Sequence, residues 1–495
     1  MKRKAALLLV TFAAACAAQS PVPSAVVTVD WTHVLGTTKT VITLQVVENP
    51  PLRRGSAIHD AAWANLAALH TDRTRLALWY PYPRLAVAEL EKPTKDSTFW
   101  DFSKIDPIVE DFFRATAKHD SVFTMSTIPT WMFCDAAHEP VPASPDEAMW
   151  SYEAGARLCD PSGQQVADYY ARVAGWYTQG GFVDEVGRHH ASSHREHIAW
   201  WEVLNEPEYE HALDIRTYTR LFDRITAAVH AVSPETRFTG MSLAEPMRSP
   251  GVFEYFLNPA NHAPGTPLDA VSFHFYADAE AGETNASETY SFFEQADAFV
   301  NSVRYIGAIR DRLSPRTEIQ VNEAGCITAS DLNREPDKTP PGADSVYWNL
   351  CGAVFAYLYA GLSTEGVDVL GASQLVGYPT QFPSVTLLDW STGAPNARYR
   401  VLAMLHDQLG PGDERLRAST TAQGVAVAAY VHDGKRRLLL INKRPQPVDL
   451  QLENWKDATE DVVCFGAGNS AQHLRVDGGK IKLASYAVMI VSYPQ

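Results

Sequence analysis

The chain alternates between two periodicities. Eight short runs, apolar or alternating and rich in β-branched and aromatic residues, recur at 40–47, 75–81, 121–129, 198–207, 237–246, 269–277, 318–325 and 369–379. Between them lie helical patterns: SKIDPIVEDFFRATAKHD sets Ile105, Ile108, Val109, Phe112 and Phe113 on one face. The segment 345–361 is apolar on most faces, as a helix packed against a barrel would be. Parallel strands need a crossover, so strand–helix repeats predict a parallel sheet. Eight units over roughly 330 residues, about 47 each, fit an α/β fold of the (β/α)8 TIM-barrel type with long loops. The helical pattern at 396–410 closes the eighth unit, and beyond it only alternating runs remain, around the turn-like His432-Asp433-Gly434. The expected organisation is a barrel over 25–410 and a C-terminal antiparallel β-sandwich over 411–495, with 25–31 a candidate extra strand of the sandwich.

The segment before residue 25 reads differently. Lys2, Arg3 and Lys4 precede a short apolar run, Ala5 to Ala15, and small residues follow, the pattern of an export signal cleaved near residue 18. Cys16 gives an alternative, a lipoprotein signal and a lipid anchor, although Ala13 stands where a large aliphatic residue is expected. The chain is expected to be exported, periplasmic or extracellular. No later run is long enough for a transmembrane segment. In an oxidising compartment Cys134 with Cys159, and Cys326 with Cys351, are candidate disulfides, and Cys464 is left over. A formal net charge of -16 argues against nucleic acid or an anionic membrane as partner. Oligomeric state is not encoded in any of these patterns.

In such a barrel, chemistry sits where strands run into loops at the C-terminal face. The fourth run ends in Asn205-Glu206-Pro207 and the seventh in Asn322-Glu323. The sixth carries His274, Phe275 and Tyr276, and the second ends in Trp79-Tyr80-Pro81-Tyr82. Two carboxylates facing each other across a barrel mouth are what glycosidic cleavage requires: one protonates the leaving oxygen, the other attacks or stabilises the oxocarbenium-like centre.

Trp201-Glu202-Val203-Leu204-Asn205-Glu206-Pro207 resembles the strand-four signature of clan A glycoside hydrolases. DAVSFHFYA, EIQVNEAG and STIPTWM resemble strands six, seven and three of family 39, which holds β-xylosidases and α-L-iduronidases. The resemblance implies a retaining enzyme with Glu206 as acid/base and Glu323 as nucleophile, without cofactor or metal, acting on a carbohydrate. It implies that Asn205 meets the sugar 2-hydroxyl and that His274, Tyr276 and Trp131 reach the site. Trp79 and Tyr378 stand at strand ends where a sugar would lie. Leu204 in place of Trp, and Asn322 in place of the usual Thr, depart from the family pattern and bear on the sugar rather than the reaction. The family favours exo action on oligosaccharides or glycosides. An endo-acting hydrolase, a transglycosylase and a non-catalytic carbohydrate-binding barrel are the rivals, the last disfavoured because both carboxylates are present.

Other acidic and histidine clusters read blandly. Glu202 points by alternation into the barrel and suits an ion pair with a residue such as Arg75. Glu208, Glu210 and His211 read as a solvated loop, and so do His189, His190, His194 and His197.

Overall fold

The computed structural model describes residues 25–493 apart from 118, 138, 154, 249–250, 281–283, 285–286, 333–346, 378–381, 454–457, 465–470 and 477. Eight parallel strands close a barrel: Val41–Val47, Thr74–Leu78, Ser121–Met125, Trp200–Val203, Arg237–Leu243, Ala270–Asp278, Glu318–Ile327 and Val369–Ala372. The eighth pairs back with the first, Val369 beside Val41. Each strand falls on one of the eight expected runs.

Alternation assigns the faces. Ile42, Leu44 and Val46 of the first strand, Leu76 and Leu78 of the second, and Val271, Phe273 and Phe275 of the sixth join the apolar layer under the helices. The inward positions between them are polar: Gln45, Arg75, Thr124, Glu202, Ser272 and Gln320 are all buried. Buried charges persist only when paired and hydrogen-bonded. Glu202 is held by Arg75, Thr124, Ser272 and Asn322, which bears out the expected ion pair with Arg75.

The C-terminal unit is a nine-stranded sheet that curls over one core. Val27, Leu416, Leu440, Leu450, Val462, Ile481 and Met489, from strands across the sheet, meet in that core, which makes it a β-sandwich. The strand Lys435–Asn442 is apolar on both faces: Leu438 and Leu440 enter the sandwich, whereas Leu439 and Ile441 pack on the barrel side. Lys443 Nζ sits 4.4 Å from the Tyr357 ring, and Gln408 donates to Asp461 at 2.9 Å, so the contact is polar at its edges.

The segment expected to lend the sandwich a strand over 25–31 is longer, Ala25–Thr37, and belongs to that sheet throughout. It runs antiparallel to Glu414–Thr420 and parallel to Val448–Leu452. The barrel therefore starts at Val41, not at residue 25. Both candidate disulfides form, Cys134–Cys159 and Cys326–Cys351, with Cα atoms 4.9 and 5.8 Å apart, and Cys464 is free. Among the described residues no helix is long and apolar enough to cross a membrane.

Candidate active site

Strict alternation along the seventh strand would send Gln320 and Asn322 inward and Glu323 outward. A register shift between Val321 and Glu323 against the sixth strand changes this. A bulge of this kind re-aims a side chain. Both Asn322 and Glu323 point inward, Asn322 to Glu202 and Glu323 to Arg75. The fifth strand has its own shift between Met241 and Leu243, where Met241 and Ser242 adopt φ of 79° and 45°. That turn brings the Ser242 hydroxyl to Asn205 and His274. At the end of the fourth strand Leu204 and Glu206 also have positive φ, 65° and 39°. Such backbone costs of order 1–3 kcal/mol per residue for a non-glycine and persists only where the surroundings enforce it. Here the Glu206 amide donates to the Ser242 carbonyl at 2.9 Å, and Pro207 opens the short helix Pro207–Glu210.

Glu323 is buried within a cage of donors. Arg75 Nη1 donates to its Oε1 at 2.6 Å, and the Tyr276 hydroxyl donates to its Oε2 at 2.7 Å. Gln45 Nε2 lies 2.8 Å from Ser373 Oγ, which lies 2.6 Å from the Tyr276 hydroxyl, so a relay of donors runs Gln45, Ser373, Tyr276, Glu323. His274 Nε2 stands 3.6 Å from Glu323 Oε1. Burial alone would raise the Glu323 carboxyl. The charges of His274 and Arg75, with the Tyr276 and Arg75 hydrogen bonds, outweigh it and hold the group below its ordinary value. For His274 the balance also favours charge: burial pulls its pKa down, and Glu323 and Glu206 raise it by more.

Glu206 stands at the opposite side of the mouth, its side chain 24% exposed. His274 Nδ1 lies 2.8 Å from its Oε1. One oxygen of Glu206, one ring nitrogen of His274 and one oxygen of Glu323 all lie within 4.8 Å of one another. The three could ligate a metal by residue type. The Arg75 guanidinium, bonded to Glu323, sets a fixed positive charge beside any such ion and works against it.

A cavity of about 430 Å³ opens over the pair. Trp79, Trp150 and Phe382 form aromatic walls, and Gln45, Asn205, Tyr276 and Ser373 supply polar groups. Of the residues singled out in the sequence, Glu206, Glu323, Asn205, Tyr276 and Trp79 line this cavity. His274 lies beneath it and bridges the carboxyls. Trp131 does not reach it. Its indole donates to the Glu89 carbonyl at 2.9 Å, and it lines a separate cavity beside the Cys134–Cys159 disulfide. Tyr378 lies outside the described residues. Gln45, Arg75, Ser242 and Ser373 were not singled out for the site, although Gln45 and Arg75 were visible as polar residues interrupting apolar strands.

Of the two clusters expected to be solvated, His189 and His197 are exposed, but other members are not. Glu210 and His211 are buried, 3% and 2% exposed, because the short helix after Glu206 folds back beneath the strand ends. His194 is buried too, 3.4 Å from Asp106, while His190 pairs with Asp184 at 2.9 Å.

No curated protein sequence matches the chain. A family profile described as the C-terminal immunoglobulin-like domain of D-apionate lactonase matches residues 422–491. Among solved structures, the chain is similar to a monomeric β-xylosidase from Caulobacter crescentus CB15, with 14% identity, TM-score 0.59, and coverage of 95% of this chain and 99% of that one. It is similar to an α-L-arabinofuranosidase from Thermotoga maritima at 12% identity and TM-score 0.59, covering 95% and 99%. It is also similar to a family 30 endoxylanase from Clostridium papyrosolvens C71 at 15% identity and TM-score 0.57, covering 95% and 100%. At these identities the likeness concerns architecture: the chain shares the barrel-and-sandwich fold of these three structures.

Proposed function

We propose that the protein is a retaining glycoside hydrolase that cleaves a β-glycosidic bond. The observation that carries this reading is the meeting of Glu206 and Glu323 at the barrel mouth, with carboxyl oxygens within 4.8 Å. Retaining enzymes hold their two carboxyl groups about 5–5.5 Å apart, whereas inverting ones leave about 6.5–9.5 Å for a water. Glu323, kept anionic by Arg75, His274 and Tyr276, attacks the anomeric carbon. Glu206 passes its proton to the leaving oxygen as the glycosidic bond breaks. Glu206, now a carboxylate, takes a proton from water, whose oxygen displaces Glu323 from that carbon. Asn205 meets the 2-hydroxyl, and Trp79 and Trp150 stack against the sugar. The pocket's modest volume supports exo action on oligosaccharides or glycosides, and the two disulfides support export.

The test is a panel of aryl β-glycosides (xylose, glucose, galactose, glucuronic acid) and an α-L-arabinofuranoside, with polysaccharides alongside. Product NMR reads the first anomer released. Retention is expected, and inversion overturns the mechanism.

A second reading is hydrolysis of a sugar-derived lactone, favoured by the match of residues 422–491 to a domain of D-apionate lactonase. Every residue lining the cavity lies outside that segment, so the match speaks for the module and not for the site. Aldonolactones in the same panel, cleaved while every glycoside is left intact, would favour it.

A further inference from the structure

Glu210 is an acidic residue to which the glycosidase mechanism gives no task. It follows the acid/base by one helical turn and is buried directly under the pocket. One of its oxygens, Oε1, accepts from two groups that line the cavity: Asn205 Nδ2 at 2.8 Å and the Trp79 indole Nε1 at 2.8 Å. The other end of the Asn205 amide is also occupied. Its Oδ1 accepts from Arg75 Nη2 at 2.6 Å and from the Ser242 hydroxyl at 3.3 Å. An asparagine amide has two N–H donors and one oxygen with two lone pairs. With the oxygen filled and one N–H on Glu210, a single N–H is left to face substrate. Trp79 is fixed in the same way, its polar edge on Glu210 and its ring against Trp150 at 5.6 Å. Glu48, fully buried just past the end of the first strand, is near enough for its charge to interact with that of Glu210. Burial pushes its carboxyl well up, and the nearby Glu210 adds to the rise.

We propose that Glu210 is the positioning residue of the site: through one oxygen it sets the donor of Asn205 and the aromatic wall of Trp79 in fixed relation to each other and to Glu206. The proposal rests on the glycosidase reading, because it is a sugar hydroxyl that the remaining Asn205 N–H would meet.

The experiment compares Glu210→Gln and Glu210→Leu in the full chain. Gln keeps an acceptor oxygen of the same reach, and Leu removes it at similar volume. Displacing a positioned group by about an ångström costs on the order of 10²-fold in rate. The Leu variant is therefore expected to lose ~10²-fold in kcat/KM on an aryl glycoside but only a few-fold on its 2-deoxy counterpart, which has no hydroxyl for Asn205. The Gln variant should stay within a few-fold of wild type on both. Asn205→Ala combined with Glu210→Leu should be little worse than Asn205→Ala alone. Equal losses on both substrates, or a Gln variant as impaired as Leu, overturns the proposal.

A second measurement needs no substrate. Hydrogen exchange at the Trp79 indole, assigned with Trp79→Phe, should be protected in wild type and in the Gln variant and accelerated in the Leu variant. If the Leu variant does not fold, the Gln variant's rates and indole protection still decide the matter. Unchanged exchange in Leu, or lost protection in Gln, sinks the role of Glu210. A wild type that cleaves no glycoside while showing this protection pattern sinks the glycosidase reading instead.

Discussion

The fourth and seventh barrel strands each bring a glutamate to the site, in opposite settings. Glu323 lies inside a strand, is 7% exposed, and is gripped by Arg75 and Tyr276 with His274 close by. Glu206 lies past its strand, on a left-handed backbone, partly open to the cavity, with His274 as its side-chain partner among the described residues. The first arrangement fixes a charge and its direction. The second leaves a carboxyl open to whatever occupies the cavity. Burial, donors and backbone alone thus give the same chemical group two environments, as the proposed division of roles requires.

The widest difference is exposed by removing the two groups. Glu323→Gln removes the oxygen proposed to attack and should lower kcat on the order of 10⁵-fold on every glycoside, in line with nucleophile deletions in other hydrolases. Loss within tenfold would break the assignment. Glu206→Gln should cost ~10²–10⁴-fold, the usual worth of a general acid, and least on aryl glycosides whose leaving group needs little protonation. A loss independent of leaving group would deny Glu206 the proton.

Arg75 probes the cage rather than the reaction. Arg75→Leu strands Glu202 without its cation and should destabilise the fold by about 3–5 kcal/mol, read from denaturant unfolding. An unchanged midpoint would show that the barrel interior does not depend on the pair.

The smallest effect concerns pH. Glu323 has a lowered folded pKa, so its contribution to stability is present above the ordinary glutamate value and is lost as pH falls through the lower folded value. His274, with a raised pKa, works the other way: its contribution is complete below the ordinary histidine value and fades as pH rises through the folded one. Tyr276→Phe deletes a donor to Glu323 and should move the acidic limb of kcat/KM to higher pH, by about one unit if the bond is worth about 1.4 kcal/mol. A limb that stays put would show that Tyr276 does not set the charge.

The eight strands were legible because each is a β-rich run covered by helices, and Glu202 pairing with Arg75 followed from alternation. What alternation could not give is Glu323 itself: by strict period two it points away from Asn322, and only the register shift beside Val321 turns it inward. Its place late in the apolar run 318–325, and not its parity, makes it readable. Ser242 gives no signal in the sequence for the same reason, since an irregular backbone at Met241 aims it. Glu210 reads as solvated because a charged triplet looks so in one dimension, while the four-residue helix tucks it under Asn205. Trp131 shows the converse: it follows the third strand as expected, but its indole is tied to the Glu89 carbonyl.

The strand Ala25–Thr37 precedes the whole barrel yet sits between Glu414–Thr420 and Val448–Leu452, from its far side. The two units are therefore interlaced. Cutting the chain at the barrel–sandwich junction would not yield two foldable pieces. It would leave the sandwich with a slot in mid-sheet and the barrel with an unpaired ribbon bearing exposed edges. Domain exchange with a relative, whether by recombination or in the laboratory, succeeds only if both ends of the chain travel together.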